Sequence, residues 1–231
     1  EANDIMSATT RIANDVADAT TNQKSKIETL IATINDENST LEQKQKALEI
    51  LKTITNGYLD TLTLENMKTG QSIQLIKDYI KHIDDLAKAK AIVALKTELY
   101  SQQLKNSTKI TALETEKKNT KATGKGYGDD GKFFGFDIGR NQKSIQYEID
   151  QAKSENIQIE NQLAVANTLQ GKQSEAIRNR IAKNTATLKT LKANSAEAKK
   201  LKAKIKADNE ELNALIGLTD SQSTTTTNSS S

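Results

Sequence analysis

Between residues 71 and 119 the chain carries neither glycine nor proline, and there is no proline anywhere in its 231 residues. An uninterrupted stretch of that kind, rich in Lys, Ala, Leu and Gln, has one low-energy backbone solution, the α-helix. Apolar positions agree with it. Ile73, Ile76, Ile80, Ile83 and Ala87 step by three and four, while Tyr79, Leu86, Val93 and Tyr100 recur every seven. Two adjacent seams of this spacing predict a long helix that meets more than one neighbour. Its expected packing residues are Ile76, Ile80, Ile83, Leu86, Val93 and Tyr100.

The rest of the chain reads in the same way. Ile5, Ile12, Val16, Ile27, Ile31 and Ile34 mark a first helix, with Thr20-Thr21-Asn22 as a place for a bend. Ser39 and Glu42 have capping-box spacing, which predicts a second helix over about 40–55 ended by Asn56-Gly57. A short segment, 58–69, leads to Gly70. Beyond residue 140 the helical pattern resumes through Ile145, Ile149, Ala152, Ile159, Leu163 and Ala166. Gly171 is the expected break, and a last helix is expected over about 172–216, with Gly217 at its C-terminus. The predicted class is therefore all-α. The expected architecture is an elongated helical hairpin or coiled-coil bundle, built from 71–119 and 141–216, with residues 1–70 as a small N-terminal helical subdomain. A Gly-rich tip loop is expected over 120–140 and a polar tail or linker over 218–231.

Composition sets limits. The hydrophobic fraction is 35%, and the ten glycines still leave the chain short of the roughly 45–50% apolar content, glycine included, of ordinary globular domains. A thick core is out of reach, but narrow helix–helix seams are not. Absence of cysteine removes disulfides, thiol nucleophiles and cysteine metal sites. A single histidine, His82, argues against a histidine metal cluster, and on its helix it reads as a solvent-facing residue. No apolar run approaches the roughly 20 residues of a membrane helix. The first residues have no basic start and no apolar core of a signal peptide, and there is no initiator Met, so the chain reads as a processed protein or a piece of a longer one.

Three local features could carry chemistry. The loop holds six of the ten glycines and all three phenylalanines. Gly126, Gly131 and Lys132 imitate a phosphate-binding spacing, but Phe133 stands where Ser or Thr is needed and no strand precedes it. Asp129, Asp130 and Asp137 lack the spacing and the closing Glu of a calcium loop. Phe133, Phe134 and Phe136 are read as a plug at the bundle end or a contact for a partner. Finally, residues 172–206 carry eleven positive charges against two negative. Arg178, Arg180, Lys199, Lys200 and Lys204 are the candidates for an anionic surface such as DNA, with a solvated or intersubunit face as the plainer reading. The residues suggest no catalytic constellation and no cofactor.

The segment from Asn35 to Gly70 is more particular. A polar turn, Asn35-Asp-Glu-Asn-Ser39, is followed by the helix around Leu41, Leu48 and Leu51. Then come Gly57-Tyr58, Leu62-Thr-Leu-Glu65 and Gly70, ahead of a Lys- and Ala-rich helix. This order resembles a segment of tail tape-measure proteins of long-tailed phages and prophages, notably those of Bacteroidetes-type hosts. The similarity covers about residues 30–140. Gly57 stands where that pattern usually has proline. The resemblance implies a non-enzymatic structural segment that helps set tail length and occupies the tail tube. It implies a virion location, assembly in the bacterial host cytoplasm, and self-association or tail-tube and tail-chaperone proteins as partners. Two alternatives remain from the residues alone: a secreted or surface helical-bundle adhesin or secretion-apparatus component, and a DNA-associated coiled coil acting through 172–206.

Overall fold

The computed structural model describes residues 2–120, 132–133, 136–137, 142–193 and 195–217. The chain is all-α: helices α1 (Ala2–Asn35), α2 (Leu41–Ile54), α3 (Gly70–Asn119), α4 (Gln142–Lys189) and α5 (Ala196–Leu215) account for most of the described residues. Two short strands, β1 (Lys132–Phe133) and β2 (Phe136–Asp137), pair antiparallel with Lys132 opposite Asp137 and Phe133 opposite Phe136. The predicted tail 218–231, most of the loop and Phe134 lie outside the described residues.

Several boundaries follow from local chemistry. α2 opens on Thr40, not Ser39. The Thr40 side chain accepts from the Gln43 amide at 3.2 Å, and the Gln43 side chain accepts from the Thr40 amide at 2.7 Å, a reciprocal capping box. Ser39 instead donates to Asp36 Oδ2. α2 ends where Asn56 and Gly57 both take positive φ, 49° and 81°. α1 passes straight through Thr20–Asn22. The Thr21 hydroxyl bonds the Ala17 carbonyl one turn back, which satisfies that side chain without leaving the helix.

Two expectations fail in the C-terminal half. Gly171 is no break. It sits inside α4, exposed, with nothing within 4 Å of a built Cβ, so its cost is only the roughly 1 kcal/mol of backbone entropy that a 48-residue helix absorbs. The single helix expected over 172–216 is instead divided near 190–195. Ser195 caps α5 by accepting from the Ala198 amide at 3.1 Å. Gly217, at φ 75°, follows the end of α5 as expected.

Contacts gather into two compact units, Glu1–Thr9 with Leu95–Asn167, and Thr10–Ala94 with Thr168–Ser231. In the first, α3 and α4 run antiparallel. Lys117 reaches Gln146, Lys153 pairs with Glu114 at 3.6 Å, Asn106 bonds Glu155, and Gln103 bonds Glu160. Leu113, Ile145 and Ile149 are buried with Ile110 packed against them, and Leu95, Leu99, Ala152, Ile159, Leu163 and Ala166 are buried further along the two helices. The Gln142 side chain donates to the Lys117 and Thr120 carbonyls, capping the end of α3.

The second unit holds the larger core. Residues 1–70 do not stand apart as a subdomain at Gly70. Ile27 and Ile34 of α1, Ala47, Leu48 and Leu51 of α2, and Tyr58, Leu59, Leu62 and Met67 of the connecting turns share one core with Leu75, Ile76, Tyr79 and Ile83 of α3 and Ala207 of α5. Between α2 and α3 the chain is a succession of turns held by side chains. Thr63 and Asn66 bond reciprocally, each side chain to the other's amide, and Asn66 also donates to the Thr61 carbonyl. Thr69 accepts from the Ser72 amide at the start of α3. These bonds let an irregular backbone be buried, because its polar groups are satisfied.

Replacing Thr40 by Ala should cost about 1 kcal/mol in a denaturant melt, the worth of a capping box, whereas Ser39→Ala should change stability by less than about 0.5 kcal/mol. Equal losses from the two would place the cap wrongly.

Candidate functional site

Tyr58 follows the left-handed Asn56-Gly57 pair, so its ring is turned onto α3. There it meets Tyr79 with ring centroids 5.0 Å apart and tilted by 50°, and His82 at 6.0 Å and nearly parallel. Tyr79 and His82 lie one turn apart on α3, at 6.1 Å. The Tyr79 hydroxyl donates to the Ile54 carbonyl, at the end of α2, and accepts from Gln23 of α1. One phenol thus ties three helices.

An ionic network borders this aromatic group. Arg180 of α4 donates through Nε to Asp208 Oδ1 at 2.9 Å and through Nη2 to Glu211 Oε2, both on α5. Gln173 donates to Glu211 Oε1 at 2.8 Å and to the Asp85 carbonyl of α3 at 2.9 Å. Lys204 of α5 pairs with Asp78 of α3, and Lys24 of α1 with Asp84. Glu211 is 1% exposed and Asp208 8%.

Burial governs the protonation of the group. It pushes the Tyr58 phenol well above its ordinary range, with the Asp78 and Asp208 charges adding to the effect. Burial also raises Tyr79. It lowers His82, against the pull of Asp208 and Asp85, so the imidazole is neutral at pH 7. Glu211 is raised by burial in spite of Gln173 and Arg180. Asp78 is lowered: burial opposes its charge, but hydrogen bonds from Lys204 and Gln74 win.

Alongside lies an open cleft of about 600 Å³, walled by α1, the Thr55–Tyr58 turn, α3 and α5. Its floor is mainly small and aliphatic, including Ala19, Ala87, Ala91 and Ala203, and Lys90, Lys202 and Glu210 stand at its walls. A smaller cleft of about 300 Å³ opens at the Arg180 network.

The expected seam residues divide. Ile76 and Ile83 are buried in the core, and Ile80 packs against it. Leu86 and Val93 are half-buried. Tyr100 is 51% exposed, and the inward positions around it are Leu95 and Leu99. The anionic candidates also divide. Arg180 and Lys204 pair with carboxylates of their own chain. Arg178 and Lys199 are exposed and Lys200 is half-buried. Phe133 and Phe136 are backbone register partners in the two-strand ladder, and Phe134 lies outside the described residues. His82 is not a solvent-facing residue, because the turn carrying Tyr58 covers it. Leu59, Leu62 and Met67, which the helical periodicity does not reach, are among the best-buried side chains. Their signal was the apolar content of a segment that has no helical spacing.

Among the described residues no helix is long and apolar enough to cross a membrane. Comparison with protein-family models, with curated proteins and with solved structures gives no match to this chain.

A histidine whose folded pKa is depressed favours the neutral form, so folding loses stability as pH falls below the unfolded value of about 6.5 toward the lower folded one. An NMR titration of His82 should give a midpoint below 6.5, and His82→Gln should remove that part of the pH dependence. A midpoint at or above the unfolded value would mean that the ring is not desolvated.

Proposed function

We propose that this chain is a non-enzymatic structural segment of a phage tail tape-measure protein, a part of the ruler that sets tail length and occupies the tail tube. The observation that carries the reading is the pair of helices α3 and α4, 50 and 48 residues long, which run antiparallel in the first unit. An α-helix advances about 1.5 Å per residue, so residue number translates directly into axial distance. The exposed polar pairs along the two helices, such as Asn106 with Glu155 and Lys153 with Glu114, add little and are inexpensive to exchange for contacts with another surface.

Support also comes from the segment that carries the resemblance. Residues 35–70 fold as a helix and a compact set of turns seated on the first turns of α3. They are an ordered lead-in to the long helix. In this reading the chain is assembled in the bacterial host cytoplasm and ends in the virion. Its partners there are other copies, the tail-tube protein and tail chaperones. Its exposed Tyr100, Leu104 and Ile157 are then surfaces for those contacts.

The test is a matched deletion in the phage genome that encodes the chain: seven residues from α3, 102–108, and the facing seven from α4, 154–160. Tails should shorten by about 21 Å if both helices lie end to end in the tube, or by about 10 Å if they remain paired, at about 1.5 Å per residue. Infectious particles with tails of unchanged length would refute the ruler role.

A further inference from the structure

α5 is fastened differently from the other helices of its unit. Its fully buried side chains are Ala198, Ala207 and Leu215, together with the two carboxylates Asp208 and Glu211. Leu201, Ile205 and Leu212 are only half-buried. Two alanines and a leucine remove little apolar surface from water, and apolar burial is what ordinarily holds a helix down. What holds α5 is polar: Arg180 on Asp208 and Glu211, Gln173 on Glu211, Lys204 on Asp78, and Gln170 donating to the Leu215 carbonyl. A buried pair is costly to break from one side, because the remaining charge is left uncompensated, so these contacts fix where α5 seats.

Packing around α5 agrees. Clefts border it on several sides: the one of about 600 Å³ toward α1 and α3, the one of about 300 Å³ at the Arg180 network, and a third of about 480 Å³ lined by Leu188, Ile205 and Asn213. These clefts are open to solvent, so much of the perimeter of α5 is reached by water. The link to α4 is short, over 190–195. Its Leu191 amide bonds the Leu188 carbonyl and its Ser195 amide the Lys192 carbonyl, both local.

We propose that α5 is a releasable strap. It opens as one piece about the 190–195 turn and uncovers Tyr58, Tyr79 and His82, while α1, α2, the connecting turns and α3 keep their common core. The ionic contacts set where the strap seats, and weakening them shifts it toward the open form. This inference rests on the packing of α5 alone and is independent of the phage-tail reading.

Amide hydrogen exchange on the full chain tests it. At low salt, amides of 198–212 should exchange at least about tenfold faster than those of 47–51 and 75–83, as a separate sub-global opening. Raising salt from about 0.05 M to about 1 M, which screens the more exposed Lys204–Asp78 pair, should speed the first group and leave the second unchanged. Asp208→Asn with Glu211→Gln should accelerate 198–212 by a further tenfold or so, again alone. If 198–212 share the protection of 75–83 in the unaltered chain, α5 is an integral part of the core and the proposal fails. It fails equally if salt or the double variant speeds both groups together.

Discussion

Leu59 and Leu62, at 0% and 1% exposure, fill the space between α2 and the face of α3 that carries Leu75, Ile76, Tyr79 and Ile83. A chain with so little apolar residue to spend must concentrate it, and this is where it does so. The segment cannot be helical there, because the left-handed Asn56-Gly57 pair turns the chain back on itself. It is buried all the same, since Thr63, Asn66, Thr69 and Ser72 satisfy one another and the nearby backbone. α1 is held through Ile27 and Ile34, and α2 through Leu48 and Leu51, to the same cluster. α5 reaches it with Ala207 only, and for that reason depends on charge.

The first unit's two antiparallel helices bury leucines, isoleucines and alanines along one face, while Ser107, Thr108, Thr111 and Thr115 return their hydroxyls to carbonyls one turn back. Those side chains are self-satisfied and ask nothing of a partner. Backbone bonding runs through both long helices, and the buried apolar side chains hold them side by side. That property suits a segment whose proposed work is to span distance.

Much of this architecture was legible. The start and end of α3 and the Asn56-Gly57 stop followed from glycine placement and from the long glycine-free run. The capping box lay one residue from its expected place, because Ser39-x-x-Glu42 and Thr40-x-x-Gln43 overlap and only tertiary entry angles choose between them. Gly171 misled, since glycine punctuates a chain only where a turn is otherwise favoured, and on the exposed face of a long helix it is merely tolerated. The real division was signalled by Ser195 ahead of a helix-forming run. The aromatic and ionic group was not legible. Arg180 and Lys204 looked like an external basic surface because their carboxylate partners are 28 to 126 positions away in the chain. His82 looked exposed because its covering ring, Tyr58, arrives from a segment with no periodicity to place it.

The account turns on the 58–67 segment as the element that gathers the second unit. Leu62→Asp puts a charge at its fully buried centre, and amide exchange then reads which helices depended on it. The prediction is a joint loss of protection in residues 27–34 of α1, in α2, and in 75–83 of α3, with 145–163 of α4 unchanged. Loss confined to residues 55–69, with α1 and α2 still protected, would show that the helices hold one another without the segment and would contradict the account.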